Sequence, residues 1–444
     1  MKKSLVALAA LAVSGAAMAQ ATIYGRIDVG YGNKQLTAGS GGKIWSQSGI
    51  MDGQITSNAI GFDATDDIGG GMKGRVVTEW GYSPTTNAGL GAMRTANAGA
   101  QLEGYASVST VNGDAGTGTQ GGYSTGTNRQ TFAELSGGFG RVRAGYMRTH
   151  GYELATFSGH TFTTECGVGG QDEHAWGLGF AGGTRGNSIE YQLPKFGNVT
   201  VGLQMGSGGG REETDFGSAA SNLASGVKTI KASRSSLKID WAQGNAGVGL
   251  VYTQYTSSST AKAANCSVAA TTANDTYCSY NVFGALSALP IPSATVTYSG
   301  TAEYNTNLIQ LAGNYNFGAV KIGANINRGT YNLTSATTPS VGTPPSVASG
   351  TGVATYDVTS SAISFNMPMG AMELFGGMGT STFGSVAAPI NNITTSQVGL
   401  IYNLSKRSRL YGFVGNLKDS VRVDNNSSSA GYMTQTGAGI NVSF

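Results

Sequence analysis

The chain has 444 residues with 27 Lys and Arg against 24 Asp and Glu, a formal charge of +3 that excludes the strongly basic field nucleic-acid binding requires. Seventy glycines with only nine prolines argue against Pro-rich disorder and point to bends, close backbone approaches and long loops among strands. Beyond the N-terminal run, no stretch approaches the roughly 20 continuous apolar residues of a transmembrane helix, so a membrane crossing would have to be made by strands.

At the N-terminus, Lys2 and Lys3, the apolar run Leu5 to Val13 and the small-residue Ala17-Met18-Ala19 before Gln20 read as a cleaved secretory signal over 1–19. Two of the 27 cations leave with it, so residues 20–444 form one domain of formal charge +1. From Ile23 onward a period of two takes over. Ile23, Ile27, Val29 and Tyr31 oppose Tyr24, Arg26 and Asp28; Met72, Val76, Trp80 and Tyr82 oppose Lys73, Arg75 and Glu79. The same split recurs at Ile189 to Leu193, Val199 to Met205, Leu237 to Trp241 and Val320 to Asn327. Sixteen strands result, at about 21–32, 57–65, 71–82, 129–137, 140–148, 186–193, 198–207, 233–241, 245–256, 305–315, 319–328, 359–367, 372–381, 395–404, 409–419 and 431–444.

Short turns (Asp66 to Gly71, Gly137 to Gly140, Gly244 to Ala246, Lys406 to Ser408) alternate with long polar segments such as Pro84 to Asn128 and Thr256 to Tyr304, expected as solvated external loops. An even strand number, a secretory leader and this asymmetry predict an all-β fold: a transmembrane antiparallel barrel with short periplasmic turns and long extracellular loops. Sixteen strands enclose a watery lumen rather than a packed interior. The final strand ends on Ile440, Val442 and Phe444, and must pair with the first to remove the last free edge.

Several runs resemble the Gram-negative general porins, especially the betaproteobacterial and neisserial branch: Tyr24-Gly25-Arg26-Ile27-Asp28; Ile60-Gly61-Phe62 and Asp66 through Lys73; Asn128 through Phe132 and Leu135 through Gly140; Tyr191 to Gly197; Leu404 through Ser408; and the terminal Phe444. The resemblance implies a homotrimer of channels that passes small hydrophilic solutes and ions, in contact with outer-membrane lipid and lipopolysaccharide, with no cofactor and no resident metal. It implies that the third long loop, Thr149 to Arg185, folds into the lumen. Acidic Glu153, Glu165, Asp172 and Glu173 on that loop would face a basic wall of Arg26, Lys73, Arg75, Arg129, Arg141 and Arg143 across a narrow aqueous gap. It further implies that Phe444, Val442 and Ile440 form the signal read by the outer-membrane assembly machinery, and that Pro84 to Asn128 latches onto a neighbouring subunit.

The register itself places Arg26, Lys73, Arg75, Arg141 and Arg143 on the polar face, avoiding the roughly 2–4 kcal/mol cost of a cation facing lipid at the midplane. By the same parity, Arg129 inward puts Glu134 outward. More basic than acidic wall groups suggest a mild anion preference, opposed by Asp28, Asp63, Glu79 and Glu190.

All three histidines, His150, His160 and His174, share the third loop with Cys166, but their spacing fits no compact metal motif. Cys266 and Cys278 are close enough in sequence to staple one surface loop, leaving Cys166 odd; three free thiols are the alternative reading. Gly122-Tyr123-Ser124-Thr125-Gly126 and Gly177-Leu178-Gly179-Phe180-Ala181-Gly182 match catalytic and dinucleotide strings by letters only, without the strand–helix context those motifs need. The rival functional readings are a substrate-specific channel, in which Tyr152, Phe157, Phe162 and Trp176 line a track, and a lipase-like barrel enzyme.

Overall fold

A computed structural model describes residues 20–85, 92–94, 123–125, 128–154, 157, 163–165, 167–170, 185–207, 211–212, 227–266, 296–340, 350–385, 388–420 and 430–444. The leader, His160, His174, Cys166, Cys278, Phe162, Trp176, Asp172, Glu173 and the Gly177 to Gly182 string all lie outside the described residues. Cys266 ends a strand.

The strands are β1 (Gln20–Ala38), β2 (Lys43–Asp52), β3 (Ala59–Gly69), β4 (Met72–Gly81), β5 (Ala92–Arg94), β6 (Tyr123–Thr125), β7 (Asn128–Gly137), β8 (Gly140–Arg148), β9 (Arg185–Gln192) and β10 (Val199–Ser207). They continue as β11 (Arg211–Glu212), β12 (Val227–Gln243), β13 (Ala246–Cys266), β14 (Val296–Asn316), β15 (Lys321–Ser340), β16 (Gly350–Met369), β17 (Met372–Ser385), β18 (Ala388–Asn403), β19 (Ser408–Asp419) and β20 (Ala430–Ser443). Strands β5 and β6 pair only with each other; the other 18 form one sheet. Because β2 and β3 both pair with β1, and β10 and β11 both with β12, each couple is one interrupted stave, and the 18 strands make 16 staves.

The sheet closes on itself. Val29 faces Ile440 and Ile27 faces Val442 across the β1–β20 seam, and the Phe444 main chain exchanges both hydrogen bonds with Gly25, at 3.0 and 3.1 Å. No edge is left at that seam to template pairing with another chain. Several neighbours join through tight turns; Gln243 and Ala246 are paired, and Gly244 at φ +56° takes the left-handed conformation the turn requires.

Side-chain exposure runs opposite to that of a water-soluble barrel. Apolar Ile23, Met205, Ile189, Ile326 and Met378 are each more than 60% exposed, whereas polar Gln204, Gln310, Asn325 and Asn327 are buried. The outward face is therefore the lipid face and the inward face the polar one.

Three features depart from the sequence reading. The second stave begins with β2 at Lys43, fourteen residues before the start at 57 that the alternation suggested, because it is interrupted at 53–58. The ladder of β13 and β14 extends to Cys266 and Val296, into the segment expected as external loop; its Ser, Thr and Ala residues are compatible with continued pairing. Glu134 faces inward. The β4–β7 register shifts where Glu79 opposes Gln130 and Trp80 opposes Asn128, so Arg129 is an extra bulged residue that changes the parity. Arg129 and Glu134, five apart, thereby share the inner face, and Glu134 lies within 4 Å of Arg75 and Arg141.

Candidate functional site: the inward loop and the charged wall

The chain turns into the lumen after β8. Thr149 caps the short helix α1 (His150–Glu153), its Oγ1 accepting the Tyr152 amide at 3.2 Å. Beyond it, Leu154 is fully buried against Val251 of β13 and Ala312 of β14, with Phe157 packed on the same cluster. The Phe157 carbonyl accepts the Asn314 side-chain amide at 3.3 Å. Of the loop aromatics, Tyr152 is 5% exposed and Phe157 packs on the wall, so neither presents a free face to a solute track.

The loop tip crosses to the far side. Thr164 donates its amide to Gln397 of β18 at 2.9 Å, and the Val168 amide donates to Gln435 of β20 at 3.1 Å. The Val168 side chain enters a cluster of Leu36, Ile393, Leu417 and Met433, apolar residues on the inner wall where alternation alone would place polar ones. The close approach depends on Gly415, where any Cβ would collide with the Val168 carbonyl.

Two loop carboxylates are seated among wall cations. Near the root, Glu153 accepts from Arg143 at 2.7 Å and from Lys238 at 2.6 Å. Burial pushes its carboxyl up, but Lys238 and Arg143 outweigh that and hold it at about 2. Glu190 of β9 binds Arg141 at 2.9 Å and also Arg143, while the buried His150 ring bridges Glu190 at 3.3 Å and the Ser236 hydroxyl at 3.0 Å. His150, Glu153 and Glu190 have the spacing of a metal-binding trio, yet both carboxylates are already occupied by cationic side chains.

At the tip, Glu165 accepts from the Thr56 hydroxyl at 2.6 Å and the Ser57 hydroxyl at 3.1 Å, with Arg129 at 3.3 Å and Arg26 at 3.8 Å. Here too burial favours the neutral carboxyl, and Arg129, Arg26 and the Thr56 hydrogen bond reverse it, to about 2. Arg129, nearly inaccessible, is shared with Glu79 at 2.6 Å, and Glu79 also accepts from the Tyr24 hydroxyl at 3.2 Å.

Glu153 and Glu165 thus touch the basic wall directly, with no aqueous gap between them and their partners. Arg75 pairs with Asp63, and Lys73 is exposed beside the β3–β4 turn. In the Arg26–Glu165, Arg75–Asp63 and Arg141–Glu134 pairs the cation is the more accessible member, at 25%, 37% and 27% exposed against 17%, 27% and 9%, whereas Arg129, Arg143 and Lys238 lie deeper than the loop carboxylates they hold. Sequence reasoning did not single out Lys238 as a wall partner of the loop, nor His150 as the loop residue that links Glu190 to Ser236. Lys238 was legible by parity, since 234, 236 and 238 all fall on the buried face of β12.

A family model described as Gram-negative porin matches residues 4–422. The chain belongs to the Gram-negative porins. This porin is 31% identical over 216 residues to the major outer membrane protein P.IB of Neisseria gonorrhoeae, covering 46% of this chain and 48% of that protein. It is 30% identical over 220 residues to outer membrane porin protein 32 of Delftia acidovorans, covering 46% and 49%. The matches therefore span about half the length of these curated relatives. Among solved structures it superposes on an anion-selective porin from Comamonas acidovorans with TM-score 0.58 at 17% identity, covering 96% of this chain and 100% of that one. The trimer form of OmpT from Vibrio cholerae matches with TM-score 0.54 at 12% identity, covering 96% and 99%. These likenesses establish a shared barrel fold, and family membership places this porin in the outer membrane of a Gram-negative cell.

Proposed function

We propose that the protein is an outer-membrane pore for passive diffusion of small hydrophilic solutes and ions, with a mild preference for anions. The observation that carries the reading is a closed barrel whose inner wall presents Arg26, Arg75 and Arg141 to water with their carboxylate partners Glu165, Asp63 and Glu134 less exposed. Arg26, Arg75 and Arg141 shape the potential met by a permeating ion, and water-filled space favours solutes that keep their hydration. Arg129 and Arg143 act mainly by seating Glu165 and Glu153, while Lys73 adds charge near the periplasmic mouth. Asp172 and Glu173 are assigned to the same charged constriction from their place in the loop.

The pore is assigned as a homotrimer embedded among outer-membrane lipid and lipopolysaccharide. One relative of the same fold is described as a trimer form and another as anion-selective. Residues 1–19 are assigned as a removed signal peptide. Phe444, Val442 and Ile440 serve as the signal for the assembly machinery; Ile440 is exposed on the lipid face and Phe444 is 45% exposed at the seam.

Reversal potential across a planar bilayer in a KCl gradient tests the assignment. A conducting, weakly anion-preferring trimer is expected. Saturable block by one solute would favour a substrate-specific channel, and a non-conducting monomer would defeat both.

A further inference from the structure

The interruption of the second stave has a definite size. Val29 pairs with Asp52 and Arg26 with Ala59, so three steps along β1 correspond to seven along its neighbour. Four surplus residues must leave the sheet, and the segment 53–58 that contains them is buried throughout. The Ile55 side chain packs on Phe375, Tyr411 and Phe413 of the inner wall, which shows that the segment goes inward.

Asp28 lies behind this segment and has no solvent exposure. Its carboxylate accepts three successive amides, Gln54 at 3.3 Å, Ile55 at 3.0 Å and Thr56 at 3.0 Å, together with the Tyr411 hydroxyl at 2.6 Å. Its own carbonyl accepts the Gly53 amide at 3.0 Å, and its amide donates to the Asn58 side chain. The far side of the same segment holds the loop tip: the Ile55 carbonyl accepts the Glu165 amide at 2.7 Å, and Thr56 and Ser57 donate to the Glu165 carboxylate. Asp28 touches neither Glu165 nor the open lumen, yet the groups of the segment that bind Glu165 belong to residues 55–57, and its carboxylate holds the amides of 55 and 56 and that of the preceding Gln54.

We propose that Asp28 is a positioning residue of the pore: it folds the 53–58 segment into a cradle for Glu165, and so sets where the inward loop rests and how much of the lumen stays open. The proposal rests on the pore reading above. An ionised carboxylate supplies acceptors for all four donors, whereas an amide supplies one oxygen and an NH2 group that meets donors head-on. Asp28→Asn therefore removes the organising centre while nearly preserving volume.

The test uses the full-length protein in two measurements on the same preparation: single-channel recording in planar bilayers, and hydrogen exchange. For Asp28→Asn, amide exchange at 54–56 and at Glu165 should accelerate by at least about tenfold, the loss of one hydrogen bond to a charged acceptor. The β12–β16 ladder should stay protected. Single-channel conductance should rise and its open level become noisy. Wild-type exchange at 54–56 and 165 together with wild-type conductance overturns the proposal. If Asp28→Asn does not assemble, Tyr411→Phe and Thr56→Ala remove one partner each from the two sides of the cradle and should shift exchange and conductance in the same direction by less; no shift in either also overturns it. If the unaltered protein does not conduct, the pore reading fails, and exchange alone still decides whether Asp28 positions the tip.

Discussion

Glu165→Gln deletes one negative charge from the lumen with almost no change of shape, and its consequence can be worked from the geometry. Arg129 keeps Glu79 at 2.6 Å, so no guanidinium is stranded there, while Arg26 loses its carboxylate at 3.8 Å and becomes more effective toward mobile ions. A unit charge about 6 Å from a permeating ion in water contributes about 0.7 kcal/mol. Screening over about 10 Å in 0.1 M salt leaves roughly half of that. Each ion population then changes by about 1.8-fold in opposite directions, so the anion-to-cation permeability ratio should rise about threefold. The assay is the reversal potential of wild type and variant in the same KCl gradient. A ratio that moves by less than about a quarter, or toward cations, would falsify the placement of Glu165 beside the ion path.

Other outcomes follow from the same contacts. With its carboxyl held at about 2, Glu165 stays ionised as pH falls below the ordinary 4.5 of a glutamate, so its contribution to loop docking is fully present above about 4.5 and is lost as pH falls through about 2; selectivity should be flat down to that window and turn toward anions within it. Leu154→Ala removes the fully buried anchor on β13 and β14 and should weaken loop docking by up to about 2–5 kcal/mol, read as faster exchange at residues 151–154 and a noisier open level. Gly415→Ala forces the Val168 carbonyl off the wall, and should raise conductance while leaving the heat stability of the barrel near wild type. Deleting Phe444 removes the main-chain pair with Gly25 and should lower the yield of inserted protein far more than it changes the conductance of molecules that do insert.

The barrel was legible because period-two alternation and short turns are local signals. Ile189 and Tyr191 point to lipid and Glu190 to the lumen, as their spacing requires. What the alternation hides are departures from strict parity. The bulge at Arg129 is silent in sequence, and it alone reverses the direction of Glu134. The 53–58 segment carries no such local signal, since its inward course depends on Asp28 and Tyr411, two residues 383 positions apart in the chain. The loop acids were recognisable as charged partners of the wall, but contact instead of a facing gap depends on how deeply Leu154 and Val168 bury, and on a glycine at 415 that carries no signal by itself.

The seat of Val168 is assembled from opposite ends of the chain: Leu36 belongs to β1, while Leu417 and Met433 belong to β19 and β20. Leu417 already faces Met433 once β19 and β20 pair, and Leu36 joins them only when β1 zips against β20, opposite Met433. The tip's other holds divide the same way: Gln397 and Gln435 lie on the β18–β20 side of the seam, and residues 55–57 on the β1 side. In an open sheet the tip can grip one side or the other, and it spans both only when the seam is closed, so a fully constricted lumen reports a sealed cylinder.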